Sequence, residues 1–246
     1  MQSALTGNLS LNSKVGVILP TYCEAQNIEK IITEISALPL NLTILVIDDS
    51  SPDGTAEIVK KMQGTYPSLL LLIRSQKGGL GTAITDGFRT FLTLETVPEF
   101  VVTMDADYSH NPQDMPQLVS SMGEGCDLVI GSRYCKGGKT ARWPYTRKII
   151  SRGANALARS VLGLKLHDCT SGYRCYSTAF LKEILPFLHS QTYDIQIETV
   201  KQAHLKGFEI QELPILFINR KRGKSKLSFV EIQNYLSYLF KNLLRK

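Results

Sequence analysis

Short runs of apolar residues alternate with segments of helical periodicity along the first 130 residues of this chain. The apolar runs have the length of buried strands and occupy residues 15–19, 42–47, 69–73, 100–104 and 127–130. Between them, apolar residues recur at helical spacing over 28–38, 55–62, 82–92 and 112–122. Strands that alternate with helices in this way predict an α/β fold with a mostly parallel central sheet and helices on both faces.

Two carboxylates, Asp105 and Asp107, directly follow the apolar run at 100–104. Residues i and i+2 of an extended chain point to the same side, so the two side chains are expected to share a face. Adjacent carboxylates repel each other unless a cation lies between them, and a divalent ion bound to a phosphorylated ligand is the natural candidate. The alternative is an acidic turn at a strand end without further function.

Polar residues also follow three other predicted strands, at 20–24, 48–49 and 132–133. Ligands of open α/β sheets bind outside the carboxyl ends of the strands. Four such ends aimed at one crevice favour a binding site over four unrelated turns.

Charge is divided unevenly along the 246 residues, whose formal net charge is +6. Residues 1–132 contain 7 Lys+Arg and 15 Asp+Glu, whereas residues 133–174 contain 10 and 1. An acidic half followed by a basic segment suggests one region that holds a metal and another that holds anions. A nucleic-acid-binding domain is a weaker interpretation, because the basic segment carries no helix-turn-helix, zinc-finger or RNP-like pattern.

Three basic or glycine-rich segments are candidates for anion binding. Arg133 and Arg147 are the favoured phosphate contacts of the basic segment, and its other cations, Arg174 included, are assigned to the surface. The loop 220–226, with five cations, either folds over an anion or is a plain basic tail. The turn 77–81 either cradles a phosphate on backbone amides or lets a helix pack closely.

The chain is expected to divide into a tail (1–13), a catalytic domain (14–227) and an amphipathic C-terminal helix (228–246). The helix either packs on the sheet or meets a membrane surface or membrane partner. No apolar run reaches the roughly 18–20 residues of a spanning helix. Five cysteines without C-x-x-C spacing argue against a disulfide framework and for a reducing, cytosolic setting.

Taken in order, the motifs resemble those of the family 2 glycosyltransferases, and among them the dolichol-phosphate mannosyltransferases whose catalytic subunit lacks membrane spans. The matching stretches extend over most of the chain, at 19–24, 47–55, 79–83, 104–110, 131–134, 151–155, 170–174, 196–198, 212–215 and 223–227. The resemblance implies a nucleotide-sugar-binding fold of the GT-A type.

The same resemblance implies roles for individual residues. The expected nucleotide contacts are Pro20, Tyr22, Glu24, Ile47, Asp49 and Ala106. Asp105 and Asp107 are expected to hold Mg²⁺ or Mn²⁺ against the GDP pyrophosphate. The expected phosphate and sugar-donor contacts are Arg133, Arg220 and Lys226, with Arg147 on the acceptor phosphate. Asp107, Arg133 and Arg147 are the expected catalytic residues.

The implied reaction is inverting transfer of mannose from GDP-mannose to dolichyl or another polyprenyl monophosphate, giving a β-linked polyprenyl mannosyl phosphate. The alternatives are transfer of glucose from UDP-glucose to the same acceptor and non-catalytic binding of nucleotide sugars or anionic lipids. The expected partners are both substrates and a membrane surface or small membrane-anchoring subunits, without nucleic acid. The expected location is peripheral, on the cytoplasmic side of the endoplasmic reticulum in a eukaryote or of the plasma membrane in a prokaryote.

Overall fold

A computed structural model describes residues 3–8, 12–123, 125–219 and 238 of the chain. Ten strands occur in this part: β1 (Ala4–Thr6), β2 (Val15–Thr21), β3 (Leu42–Asp48), β4 (Leu69–Ile73), β5 (Phe100–Thr103), β6 (Leu128–Ser132), β7 (Lys139–Ala141), β8 (Arg174–Ser177), β9 (Ile210–Pro214) and β10 (Leu216–Ile218). Seven α-helices accompany them: α1 (Ile28–Ser36), α2 (Thr55–Met62), α3 (Leu80–Leu92), α4 (Met115–Ser120), α5 (Tyr145–Leu162), α6 (Thr178–Ile184) and α7 (Ile195–Lys206). Short 3₁₀ turns precede α4 at Pro112–Asp114 and follow α6 at Leu185–Phe187.

Eight strands form one sheet in the order β1-β4-β3-β2-β5-β8-β6-β9. The run β4-β3-β2-β5 is parallel throughout, while β8 lies antiparallel between β5 and β6. A separate parallel pair joins β7 and β10, with Phe217 opposite Thr140. Because β8 separates β5 from β6, the carboxyl end of β6 lies two strands away from that of β5.

Both faces of the central strands are buried, and alternate side chains enter different cores. On β3, Ile44 and Val46 pack into the core that contains α1 and α2, whereas Leu45 and Ile47 pack into the core that contains α3 and α6. A strand covered on both faces reads as a continuous apolar run, and every residue of β3 is buried. The predicted α/β class, with a mostly parallel sheet and helices on both faces, is therefore confirmed.

Sequence periodicity correctly located the five strands predicted within residues 15–130 and the helices between them. The second half of the sheet contains elements that the sequence did not predict. The strand β8 begins at Arg174, within a stretch read only as a motif, and β9 and α7 were not predicted. Residues 4–6, assigned to a tail, pair with β4. The proposed helix 228–246 lies outside the described residues except for Tyr238, which is helical and packs against the α3–α6 core.

No helix in the described ranges combines the length and the apolar character that crossing a bilayer requires. All five cysteines are free thiols.

Candidate active site

A cleft opens at the carboxyl ends of β2, β3 and β5, beside the N-terminus of α3. It is lined by Pro20, Thr21, Tyr22, Glu24, Asp49, Lys77, Gly79, Leu80, Ala83, Asp105, Ala106, Asp107 and Tyr193. Three of the four polar strand ends thus meet in one cleft. The fourth, at Arg133, lies in a neighbouring cluster described below.

The two acids at the end of β3 have different surroundings. Asp48 is fully buried and accepts hydrogen bonds from the Thr21 hydroxyl (3.0 Å) and from the Ser51 amide and hydroxyl (2.8 and 2.6 Å). Asp49 lines the cleft and pairs with Arg74 Nη1 at 2.8 Å. Burial raises the pKa of the Asp49 carboxyl, although Arg74 acts in the opposite direction. Asp48 therefore fixes the loop that places Asp49 in the cleft.

The glycine-rich turn 77–81 packs tightly against protein on both sides. The amides of Gly78 and Gly79 donate to Asp49 Oδ2 at 3.3 and 3.2 Å, so they are already engaged. A Cβ atom on Gly81 would lie 2.3 Å from the Ser190 carbonyl oxygen. These contacts support a structural turn rather than a phosphate cradle built from these two amides. Its Lys77 reaches the cleft, with Nζ 3.9 Å from the centroid of the Tyr22 ring.

Asp105 and Asp107 both line the cleft, but the strand pleat does not bring them there. Strand β5 ends at Thr103, and the following Tyr108 has φ near +60°, in the left-handed region. The amide of Ser109 donates to Asp107 Oδ1 at 2.9 Å. Asp107 is buried, whereas Asp105 is about one-third exposed. The turn after β5 therefore orients both carboxylates toward the cleft.

The donor set fits a divalent cation that shares its ligands with a substrate. Within the described ranges, no group of three or more His, Cys, Asp or Glu side chains could hold a metal. Mg²⁺ in phosphate-binding sites commonly uses one or two carboxylates together with substrate phosphates and water. Asp105 and Asp107 supply two such carboxylates at the edge of a cleft.

His110 packs against the turn that carries Asp105 and Asp107, with a neutral imidazole ring. The Asp105 amide donates to His110 Nδ1 at 3.3 Å, and the ring packs against Tyr173 and Phe217. Burial lowers the pKa of His110 to about 4, with Arg133 acting in the same direction and Asp107 and Asp168 opposing it. An imidazole that accepts an amide hydrogen bond and is neutral at physiological pH positions the backbone of Asp105.

Arg133, at the end of β6, is held by Asp168 in a bidentate ion pair. Its Nε and Nη2 lie 2.6 and 2.7 Å from the two carboxylate oxygens, and Nη2 also donates to the Thr170 hydroxyl. Burial alone would raise the pKa of Asp168, but Arg133 and nearby amides hold it below its usual value. Asp168 is fully buried and ionised, so it fixes the arginine and has no role as a proton acceptor near neutral pH.

An aromatic cluster joins Arg133 to Arg147, from helix α5. The guanidinium carbon atoms of Arg133 and Arg147 lie 5.5 and 4.2 Å from the centroid of the Trp143 ring. Arg147 Nη1 donates to Asn219 Oδ1 at 2.7 Å. Phe217 contacts both Trp143 and His110, with ring centroids 5.3 and 5.1 Å apart. Through these rings, the basic cluster adjoins the turn that carries Asp105 and Asp107.

The predicted site residues fall into four groups. Seven line the cleft: Pro20, Tyr22, Glu24, Asp49, Asp105, Ala106 and Asp107. Arg133 and Arg147 flank Trp143 in the adjoining cluster. Ile47 is buried in the core behind the cleft. Arg220 and Lys226 lie outside the described residues.

Two residues beside the site, Trp143 and Asp168, were not predicted from the sequence. The sequence does contain a signal for Asp168, because it is the sole acid among ten cations in residues 133–174 and is therefore a candidate ion-pair partner. The assignment of Arg174 to the surface was wrong. Its guanidinium is fully buried and donates to Ser171, Gln196, Thr199 and Cys169 at 2.7–2.8 Å, joining β8 to α7.

Sequence similarity to known proteins extends over most of the chain. Residues 16–185 match the family model described as glycosyl transferase family 2. The chain is 38% identical over 214 residues to a polyprenol monophosphomannose synthase from Mycolicibacterium smegmatis, covering 86% of this chain and 80% of that one. It is also 38% identical over 216 residues to an undecaprenyl-phosphate mannosyltransferase from Micrococcus luteus, covering 87% and 88%.

Solved structures share the fold at lower identity. A mannosyltransferase from Pyrobaculum calidifontis, solved with GDP-Man and Mn²⁺, has a TM-score of 0.64 and 17% identity over 98% of this chain and 67% of its own. A glucosyl-3-phosphoglycerate synthase from Mycobacterium tuberculosis, solved with Mn²⁺, UDP-glucose and phosphoglyceric acid, has a TM-score of 0.66 and 21% identity over 95% and 79%. Since these structures hold different nucleotide sugars, fold likeness alone does not select the donor.

Proposed function

This chain belongs to glycosyl transferase family 2, and we propose on that premise that it transfers mannose from GDP-mannose to a polyprenyl monophosphate with inversion at the anomeric carbon. The observation that carries the proposal is its 38% identity, over more than four-fifths of its length, to two proteins named for mannose transfer to polyprenyl phosphates. The product is a polyprenyl β-mannosyl phosphate.

The cleft provides the donor site. Pro20, Tyr22, Glu24 and Asp49 contact the nucleotide, and Lys77 contributes a cation on the same wall. Ile47, a predicted nucleotide contact, is buried near the end of β3, two residues before Asp49. Arg220 and Lys226 remain predicted donor contacts. A cleft lined by carboxylates and a lysine suits a nucleoside diphosphate that is bound together with a cation.

Asp105 and Asp107 would hold the divalent cation, Mg²⁺ or Mn²⁺, with Ala106 beside the nucleotide. When bound, such an ion neutralises the charge that develops on the departing diphosphate. His110 fixes the backbone amide of Asp105, and the Ser109 amide fixes the Asp107 carboxylate. The Asp105 backbone and the Asp107 carboxylate therefore enter the reaction already oriented, which lowers the cost of organising the site.

The acceptor needs positioning rather than activation. A phosphate monoester has a second pKa near about 6, so it is largely dianionic at neutral pH and attacks without a general base. Arg147, directed toward Trp143 and Asn219, binds this phosphate. Arg133 contacts the same Trp143 ring and also Phe217, which packs on His110 beside the turn that carries Asp105 and Asp107. The two arginines bring together anions that would otherwise repel each other.

Transfer of glucose from UDP-glucose to the same acceptor is the nearest alternative, and binding without catalysis is the second. Purified protein is incubated with GDP-mannose or UDP-glucose, Mg²⁺ or Mn²⁺, and a short-chain polyprenyl phosphate in detergent. We expect a mannolipid whose anomeric configuration is β by NMR, and none with Asp107→Ala. Glucolipid, an α-linked product or no product would each contradict the proposal.

The acceptor also places the chain at a membrane. The protein acts peripherally on the cytoplasmic side, at the endoplasmic reticulum or the plasma membrane according to the organism. It reaches the membrane directly or through small membrane subunits.

A further inference from the structure

The side chain of Gln196 is buried beside the cleft, on the first turn of helix α7. It is 3% exposed, and its Oε1 atom has no hydrogen-bond partner among the described residues. Tyr193, one turn earlier, lines the cleft, and its carbonyl oxygen accepts a hydrogen bond from the Gln196 amide at 3.2 Å. A buried carboxamide that leaves an acceptor unused costs stability, which favours a role in binding.

Gly172 adjoins both Gln196 and Asp105, and its missing side chain leaves a small space beside them. A Cβ atom built on Gly172 would lie 3.5 Å from Gln196 Nε2 and 3.6 Å from Asp105 Oδ1. The next neighbour, His110 Cε1, lies at 3.9 Å. These are ordinary van der Waals distances, so the space has the size of a methyl or hydroxyl group. An amide nitrogen that donates and a carboxylate oxygen that accepts therefore border one small space.

Buried hydrogen bonds fix the walls of this space. The Arg174 guanidinium donates to the carbonyl oxygens of Gln196 and Ser171 at 2.8 and 2.7 Å, so it ties the start of α7 to the loop before β8. The Thr103 hydroxyl donates to the Gly172 carbonyl oxygen at 2.9 Å, which fixes the same loop to the end of β5. The fold therefore holds the amide and the carboxylate near each other before a ligand binds.

The chemistry of the space suits an uncharged hydroxyl group. A carboxamide is neutral and a carboxylate repels anions, so a phosphate is disfavoured there. A hydroxyl group both donates and accepts, and it can donate to Asp105 while it accepts from Gln196. Asp105 lines the same cleft as Tyr22 and Asp49, the proposed nucleotide contacts. A hydroxyl group at this place in the cleft belongs to the sugar that the nucleotide carries.

We propose that Gln196 and the space beside Gly172 bind a hydroxyl group of the hexose that is transferred. Gln196 is then a specificity-determining residue of the donor site. The inference rests on the proposed function and deepens it, because it names the group that recognises the sugar rather than the nucleotide. A site built to bond a hydroxyl group discriminates against an analogue that lacks it, since buried polar atoms are then left unpaired.

Calorimetry with GDP and with GDP-mannose, each in the presence of Mn²⁺, separates the sugar from the nucleotide. Gln196→Met keeps a side chain of similar length and removes both polar atoms. We expect it to lower the affinity for GDP-mannose at least about tenfold and to leave the affinity for GDP unchanged. Gln202→Met, at a partly exposed position of the same helix, is the matched control and should change neither affinity.

Gly172→Ala tests the space itself. The added methyl group would meet its neighbours at ordinary distances, and the φ of Gly172 is not in the left-handed region, so the variant should fold. Because the methyl group occupies the space, we expect the same selective loss of GDP-mannose affinity. Gly123→Ala is the control, since its Cβ would have no atom within 4 Å beyond its chain neighbours. Circular dichroism and thermal unfolding verify that all four variants fold.

Analogues of GDP-mannose that each lack one sugar hydroxyl identify the bound group. One analogue should bind the unchanged protein at least about tenfold more weakly than GDP-mannose, whereas Gln196→Met should bind the two alike. Unchanged GDP-mannose affinity in Gln196→Met and Gly172→Ala, or equal losses for GDP and GDP-mannose, would overturn the inference. So would an analogue series in which Gln196→Met retains every difference seen with the unchanged protein.

The proposed function fails on a different observation. Absence of mannolipid with the unchanged protein would contradict mannosyl transfer, while the calorimetric comparison would still decide the role of Gln196. If the unchanged protein binds UDP-glucose and not GDP-mannose, the proposed donor is wrong. The same variants compared with UDP and UDP-glucose then decide the inference, and a selective loss for the sugar nucleotide would support it.

Discussion

Arg133 and Asp168 form a buried bidentate ion pair, with Nε and Nη2 of the arginine 2.6 and 2.7 Å from the two carboxylate oxygens. The Asp168 carboxylate also accepts hydrogen bonds from the backbone amides of Arg133, Thr170 and Ser171, at 3.0–3.1 Å. An arginine held in this way keeps its orientation, since the planar fork fits the carboxylate at two points. The pair places a preorganised cation beside the turn that carries Asp105 and Asp107.

Asp168→Asn should lower kcat about a hundredfold, a loss typical of disturbing one preorganised charge-stabilising group. Asparagine is similar in size to aspartate, but its side-chain NH₂ group is a hydrogen-bond donor and would face a donor of Arg133. The fall in kcat should not depend on pH between 6 and 9, because Asp168 is ionised throughout and is not a base.

The control for Asp168→Asn is Glu183→Gln, which breaks the exposed ion pair of Glu183 with Lys206. Such pairs contribute little, and transfer should be unchanged. A pH-dependent loss in Asp168→Asn, recovered at high pH, would contradict a positioning role.

Asp107→Asn and Asp48→Asn should separate metal binding from loop architecture. Removing the Asp107 charge should abolish transfer and Mn²⁺-dependent binding of GDP, measured by calorimetry. Asp48 is buried beneath the cleft, so Asp48→Asn should lower the unfolding free energy by about 1–3 kcal/mol. The folded fraction of Asp48→Asn should still bind Mn²⁺ with GDP. The opposite pattern would assign metal binding to Asp48 and loop architecture to Asp107.

Arg147→Ala should raise the apparent KM for the polyprenyl phosphate at least about tenfold, which is the effect of losing a charge-assisted contact with phosphate. The KM for GDP-mannose should change little, because Arg147 lies in the cluster around Trp143 and outside the donor cleft. Arg152→Ala, on the same helix but exposed, is the matched control and should leave both constants nearly unchanged in detergent. Equal increases for the two substrates would contradict an acceptor-specific role.

His110 should make the fold sensitive to mild acid. Its pKa of about 4 in the folded protein lies below the value of about 6.5 expected when unfolded. Above pH 6.5 both states are neutral and the full stability is present. As the pH falls from about 6.5 to about 4, only the unfolded state gains a proton, and up to about 3 kcal/mol of stability is lost.

Urea unfolding of metal-free protein across this pH range measures the loss. His110→Asn should flatten the dependence on pH, whereas His204→Asn, at an exposed position on α7, should retain it. Parallel curves for His110→Asn and the unchanged protein would show that another group titrates.

Two helical glycines should respond oppositely to alanine. A Cβ on Gly81 would lie 2.3 Å from the Ser190 carbonyl oxygen, so Gly81→Ala should lower the Tm by several degrees as α3 moves away from the 190–191 segment. Gly153, within α5, has no atom from outside its own stretch of helix backbone within 4 Å of its Cβ position, so Gly153→Ala should stabilise the protein by about 0.5–1 kcal/mol. Differential scanning calorimetry distinguishes the outcomes, and equal shifts would contradict the close approach at Gly81.

The sequence by itself determined the parallel half of the sheet and its acidic edge. Residues 42–47 are mostly apolar because both faces of β3 are covered, and that pattern is local enough to be detected in the sequence. The same pattern predicts that the acids after β3 and β5 lie close together, because the carboxyl ends of parallel strands meet at one edge of the sheet.

Only the tertiary structure decided how the basic half completes the site. Strand β8 lies between β5 and β6 through pairings such as Val102 with Cys175 and Val129 with Cys175, across long separations in the sequence. That arrangement places Asp168 against Arg133 and Tyr173 against His110. Hydrophobic periodicity reports which face of an element is buried, whereas the partner of a buried charge depends on which distant segment the fold brings beside it.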